Sequence, residues 1–115
     1  MAQIEPYKNI FLGECSRLTK LVLDCLQKLE KNPFDLDTIS KMVISAEVIR
    51  GSAKLLQDVD LDINSKMLIE LFKGAQDVQD RKKELEMMLS RFRVLVNRTH
   101  IDRVLSEPDL IKDKD

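Results

Sequence analysis

The sequence has 115 residues, enough for one small domain with a single core and too few for two. Charged residues make up 34% and apolar residues 43%, with no Trp, three Gly and three Pro, a balance that favours a helical bundle over disorder or a β-sandwich. The formal net charge is −1 and no basic cluster is interleaved with aromatic residues, so nucleic acid is not an expected partner.

The chain carries no visible signal for a membrane. Residues 1–6 have neither a basic flank nor an apolar run, so no signal peptide is predicted. No apolar stretch approaches the roughly 20 residues that a membrane-spanning helix needs. We therefore expect a cytoplasmic protein with no membrane partner.

The first predicted helix runs from Pro6 to Lys31. Its apolar side chains recur at alternating spacings of four and three, which indicates one buried stripe. Pro6 suits a first helical turn, and Asn32-Pro33 ends the pattern because the residue before a proline disfavours helix. The stripe comprises Phe11, Cys15, Leu18, Val22, Cys25 and Leu29, and is widened by Leu21 and Leu26.

The two cysteines of this helix are predicted to be buried, reduced thiols. Cys15 and Cys25 lie ten residues apart, about 15 Å along a helix, whereas a disulfide needs Cα atoms within about 7 Å. With a single His and no Cys-x-x-Cys motif, the sequence offers no set of metal ligands, and we expect no cofactor.

A second helix is predicted from Asp35 or Asp37, either of which can cap it, to about Gln57. Its buried stripe is Ile39, Met42, Ala46, Ile49, Ala53 and Leu56. Away from that stripe lies Gly51, although a glycine inside a helix costs about 1 kcal/mol relative to alanine.

The face around Gly51 is charged. Glu47, Arg50, Gly51 and Lys54 follow one another at helical spacing and share one side of the helix. The missing side chain lets the backbone of another molecule approach. A binding surface centred on Gly51 is therefore predicted.

The segment Ala46-Glu47-Val48-Ile49-Arg50-Gly51-Ser52-Ala53 resembles the A-H-x-x-K-G-S-A motif of histidine-containing phosphotransfer domains, including the phosphoacceptor domain of CheA-type kinases. Five of the motif's six defined places keep the family's residue type if Arg is accepted for Lys. Glu47 stands where the phosphorylated histidine should be. The chain looks like a phosphotransfer domain without its phosphoacceptor.

The resemblance implies an all-α, antiparallel four-helix bundle in up-down-up-down order. It also implies a non-phosphorylatable signalling domain that binds a receiver domain or a histidine-kinase module and modulates a two-component phosphorelay. Facing a receiver's acidic pocket, Glu47 either repels it or acts as an outer ligand of a bound metal ion. The expected binding surface is Ser40, Val43, Glu47, Arg50, Gly51 and Lys54.

The second half of the chain permits two arrangements. An acidic loop is predicted at residues 58–62, with a helix restarting at Asp62 or Asn64. A seven-residue repeat then allows either one helix over 63–97, about 52 Å long, or a break near Gly74 with Asp77 capping a fourth helix that ends at about Leu105. The resemblance favours the break. The repeat comprises Leu68, Leu71, Ala75, Val78, Lys82, Leu85, Leu89, Phe92 and Val96.

The domain is therefore predicted at residues 1–105, followed by a polar tail at 106–115. No nucleophile and base are paired and no loop cradles phosphate, so an enzyme is not expected. His100, the one imidazole, is expected to be a surface or helix-end residue, with a phosphoacceptor role as the alternative.

Two other interpretations stay open. One is a helical assembly protein whose long C-terminal helix forms a coiled-coil dimer, although we expect a monomer. The other is that Glu47 and Arg50 form an ordinary exposed ion pair beside a coincidental Gly51.

Overall fold

A computed structural model of the chain describes residues 4–73 and 78–106, with side chains described for 7–73 and 82–101. It contains four helices, and the described residues include no strand. The predicted all-α class with four helices is confirmed. The helices are α1 (Ile4–Lys31), α2 (Leu36–Leu56), α3 (Val59–Lys73) and α4 (Val78–Ser106).

A tight turn joins α1 to α2, and Asp35 caps the second helix. Its carboxylate accepts hydrogen bonds from the backbone N–H of Thr38 at 3.3 Å and from the Thr38 hydroxyl at 2.8 Å. These bonds lower the pKa of Asp35, with the hydroxyl contributing most, because they favour the charged carboxylate. Of the two predicted caps, Asp35 is the one used, and Asp37 lies in the first turn.

The helix α2 ends at a left-handed residue that is not glycine. Gln57 has φ 57° and ψ 34°, and its N–H donates to the carbonyl of Lys54 at 3.2 Å. The N–H of Asp58 donates to the carbonyl of Ala53 at 2.9 Å. These two bonds satisfy carbonyls that the end of a helix leaves free.

The predicted loop at residues 58–62 is wrong, because only Gln57 and Asp58 separate α2 from α3. The carboxylate of Asp58 accepts from the N–H of Leu61 at 3.2 Å and so caps α3. Asp60 and Asp62 belong to the first turn of α3, where negative side chains interact favourably with the helix dipole. The acidic run marks the start of a helix.

The alternative of one helix over 63–97 is also wrong, because α3 and α4 are separate and pack against each other. Near the start of α3, Asp58 pairs with Arg98 of α4, and further along α3, Asn64 bonds Arg91. The residue nearer the start of α3 contacts the residue nearer the end of α4, so the two helices are antiparallel. The up-down order of all four helices stays a prediction.

Some of the predicted boundaries fall outside the described residues. The proposed stop at Gly74 and cap at Asp77 lie there, and so does the proposed tail from residue 107 onward. The helix α4 ends at Ser106, one residue beyond the predicted Leu105.

The four helices contact one another in a closed ring, each with the next along the chain and α4 with α1. The molecule measures 53 × 26 × 21 Å, and its cross-section is about two helix diameters in each direction. The core fills the centre of this arrangement.

The buried stripes agree with the predicted periodicity, with one shift. In α2, Ile39 and Leu56 pack at the edge of the core, and the four residues between them in the stripe are fully buried. In α1, Leu12 is buried and the predicted Phe11 is half-exposed, because α1 contacts both α2 and α4 and its buried arc extends toward Leu12. From α3 and α4, the buried apolar residues are Leu61, Leu68, Ile69, Leu85, Met88, Leu89, Phe92 and Leu95.

Candidate docking surface

Half of the eight-residue motif faces the core. Ala46 and Ala53 are fully buried, and their small side chains let neighbouring elements pack closely against α2. Ser52 is buried beside Cys15 of α1, and its hydroxyl partly offsets the rise that burial causes in the pKa of the thiol. The Ala and Ser positions that carry much of the sequence resemblance are therefore packing positions.

The other side of the motif faces solvent. We call the predicted binding residues Ser40, Val43, Glu47, Arg50, Gly51 and Lys54 the motif face. Four of them, Ser40, Glu47, Gly51 and Lys54, are exposed. Val43 is half-buried and packs on the edge of the core, and Arg50 is half-buried beside α3. The six residues thus form a strip that runs from open solvent to the α2–α3 boundary.

At Gly51 the surface is open. A Cβ atom built on this residue meets nothing within 4 Å, and its φ is not positive. Neither close packing within the described residues nor backbone conformation therefore requires glycine here. A requirement for glycine must come from outside the fold, as it would if another molecule approached the helix.

Arg50 is held by a neighbouring helix. Its Nε donates to Oδ1 of Asp62 at 3.1 Å, and each of the two side chains is about one-third exposed. The ordinary Glu47–Arg50 ion pair is therefore not formed. Among the described residues no ion pair involves Glu47 or Lys54, so their charges are available to a partner.

The structure adds an apolar half to this surface that the sequence analysis missed. Ile44, Val48 and Leu55 are exposed, and at 100° per residue they lie on one side of Gly51, with Glu47 and Lys54 on the other. The signal was present in the sequence, because these three are apolar residues of α2 that fall off its buried stripe. Exposed apolar residues grouped on one face typically mark an interaction site.

A cluster of acidic residues holds α3 to its neighbours. Nη2 of Arg98 contacts the two carboxylate oxygens of Asp58 at 2.7 and 2.9 Å, and its Nη1 contacts Asp60 at 3.4 Å. Together with the Arg50–Asp62 pair, this fixes the first turn of α3 from two helices. Sequence reasoning missed both contacts because it interpreted the acidic run as a loop.

Within the part of the chain that the structure describes, the histidine and the two cysteines do not form a second candidate site. His100 is exposed on α4, as predicted for a surface histidine. Cys15 and Cys25 are free and buried, also as predicted, and burial raises the pKa of both thiols, that of Cys15 to about 11. Reactive thiolates are therefore disfavoured.

Groups of three or more side chains suited to a metal ion are absent from the described part of the chain. None of the four helices, over the residues described, is long and apolar enough to cross a membrane.

Comparisons with known proteins give no relative. No family model matches the chain, and no curated protein and no solved structure matches it either.

Proposed function

We propose that this chain is a cytoplasmic, phosphotransfer-like signalling domain without a phosphoacceptor. In this proposal it docks a receiver domain or a histidine-kinase module through the motif face and thereby modulates a two-component phosphorelay. The observation that carries the proposal is Gly51, a glycine in the middle of a helix with open space above it. The motif resemblance and the four-helix architecture support it.

The charges of the motif face suit docking without phosphoryl transfer. Glu47 is exposed and supplies a carboxylate where transfer needs an imidazole nitrogen. A glutamate is also a poor mimic of phosphohistidine, since a phosphoryl group carries about −1.5 to −2 charges and three acceptor oxygens. The domain would therefore occupy its partner without relaying phosphate.

Whether Glu47 opposes or favours docking to a receiver depends on a divalent metal ion. A receiver holds its phosphorylation site in an acidic pocket, so Glu47 would meet like charges there. A magnesium ion between the carboxylates would offset that repulsion and accept Glu47 as an outer ligand. Binding should accordingly be tighter with magnesium than with a chelator.

The direct test is binding to a panel of isolated receiver domains, measured by calorimetry with and without magnesium. The informative variant is Gly51→Gln, whose side chain occupies the open space. Gly13→Gln in α1 is the matched control, because a Cβ atom there also meets nothing within 4 Å. We expect the Gly51 variant to lose at least about tenfold in affinity, or 1.4 kcal/mol, and the Gly13 variant to bind like wild type. Absence of binding to every receiver, or equal binding by both variants, would contradict the proposal.

A second test introduces a phosphoacceptor histidine into the motif face. Glu47→His places an imidazole at the phosphoacceptor position, and Ser40→His places one on another exposed site of α2. After incubation with a phosphorylated receiver, we expect acid-labile phosphate on the Glu47 variant alone. Failure of the folded variant with several receivers would count strongly against the family relationship.

The seven-residue repeat that suggested the coiled-coil alternative is largely used within the bundle itself. Leu85, Leu89 and Phe92 of that repeat are buried in the core of the chain's own bundle. They are not available to form a seam with another molecule.

A further inference from the structure

The outer side of α4 carries a second stripe, separate from the one in the core. We call it the outer seam. Its apolar members, Met87, Val94 and Ile101, are 38%, 67% and 55% exposed and lie seven residues apart. Its polar members are exposed as well. In chain order the outer seam is Lys83, Met87, Ser90, Val94, Asn97 and Ile101.

This spacing is that of a helix which packs against another long helix. Steps of four, three, four, three and four repeat a seven-residue pattern, with apolar side chains at one of its two contact positions. Isolated apolar residues on a surface are ordinary, but three at a strict interval over about 21 Å form one line on the helix. The helix α4 therefore has two contact faces, and the fold itself covers only the inner one.

The polar members indicate which molecule covers the outer face. Ser90 and Asn97 alternate with the apolar residues, and an apolar partner would bury their hydrogen-bonding groups without partners. In a parallel, in-register pair of identical helices, Ser90 and Asn97 each meet their own copy, and both side chains donate as well as accept. Lys83 also meets its own copy at one end of the seam, and the repulsion between the two ammonium groups weakens the pair.

One of the two described pairs of flanking charges fits the same arrangement. In a parallel coiled coil, the residue that precedes a contact position pairs with the residue five positions further along the other helix. Glu86 precedes Met87 of the seam, so it lies opposite Arg91 of the second copy. Among the described residues Glu86 has no ion pair, and Arg91 bonds the neutral amide of Asn64 at 3.2 Å. Arg93 would face Arg98, whose charge Asp58 already balances at 2.7 Å.

We propose that the outer seam of α4 binds a second copy of this chain in a parallel, two-fold symmetric pair. Three apolar layers over about 21 Å make a small interface, so the pair is weak and reversible, and its population rises with concentration. The seam is on α4 and the motif face is on α2, so both motif faces stay open in the pair. The proposal does not depend on what the motif face binds.

The first experiment measures molar mass by sedimentation equilibrium from micromolar to millimolar concentration. Val94→Glu introduces a charge into the seam, and Val59→Glu on α3 is its matched control, since the two valines are 67% and 65% exposed on different helices. We expect wild type and the Val59 variant to approach the mass of a pair with equal dissociation constants, and the Val94 variant to stay at the mass of one chain. A wild type with the mass of one chain throughout, or a Val94 variant that pairs normally, would overturn the proposal.

The second experiment tests direction. Under mild oxidation, the introduced thiols of Ser90→Cys should join two chains by a disulfide, because this position meets its own copy in a parallel pair. Lys82→Cys, exposed on α4 outside the seam, should not, and the native cysteines are buried. A Ser90 variant that pairs by mass without forming the disulfide would overturn the parallel arrangement.

Discussion

At Gly51 a methyl group would meet no described residue beyond its own stretch of helix within 4 Å, so the glycine lowers the stability of the helix without relieving a close contact there. Its neighbours in the motif divide into two groups. Ala46, Ser52 and Ala53 are buried, whereas Glu47 and Gly51 face solvent. Packing in the core explains the buried residues but not the exposed ones. The exposed residues Glu47 and Gly51 are therefore the ones that indicate a function.

The stability cost of this glycine can be measured. We expect Gly51→Ala to raise the free energy of unfolding by about 1 kcal/mol, because alanine is the better helix former and the added methyl group finds open space. Urea denaturation followed by circular dichroism provides the value. Gly13→Ala should change stability in the same direction, since its site in α1 is open as well. A loss of stability on replacing Gly51 would mean that the fold needs the glycine after all.

Over the described residues, the contact between α3 and α4 is the least extensive of the four contacts in the ring of helices, and an ion pair joins the two helices where α3 begins. Arg98 and Asp58 are 33% and 17% exposed, so removing the arginine leaves a mostly buried carboxylate without its charge partner. We expect Arg98→Gln to lower the free energy of unfolding by about 2 kcal/mol. Arg17→Gln is the control, because its pair with Glu14 is 65% and 40% exposed and should contribute at most about 0.5 kcal/mol. Equal losses in urea denaturation would show that Arg98 contributes no more than a surface charge.

The start of α2 depends on one carboxylate, and its contribution should depend on pH. Because hydrogen bonds from Thr38 lower the pKa of Asp35, its stabilisation is present above the ordinary value of 3.8 and is lost as the pH falls through the lower, folded-state pKa. We expect Asp35→Ala to have a lower melting temperature than wild type at neutral pH, and the difference in melting temperature to become smaller in acid. Asp37→Ala, which removes a first-turn carboxylate that is not the cap, should melt closer to wild type. A gap that is constant with pH would argue against the cap as its source.

For the whole molecule, the local sequence pattern predicted the helices, whereas the contacts between helices could not be predicted from it. Periodicity predicted the helical class and most of the core, because each helix places a continuous apolar stripe on its neighbours, and the family resemblance favoured the break that makes four helices. Periodicity could not predict that Asp62 pairs with Arg50 or that Asp58 pairs with Arg98, since both contacts depend on which helices become neighbours. The apolar half beside Gly51 was missed although its residues fall off the predicted buried stripe of α2. The outer seam of α4 was missed because the seven-residue repeat identified in the second half of the chain is the one that the bundle buries.

The buried thiol of Cys15 links the stability of the whole fold to alkaline pH. Burial raises its pKa from 9.0 to about 11, so between these values the folded protein holds a proton that the unfolded chain has released. Stability therefore falls with rising pH across this window, by up to about 3 kcal/mol, and the thiol adds no pH dependence below it. Urea denaturation at pH 8, 9.5 and 11 should show this decline in wild type and a shallower one in Cys15→Ala, because the other titrating groups are common to both. Parallel pH profiles would mean that the thiol ionises as easily in the folded protein as in the unfolded chain.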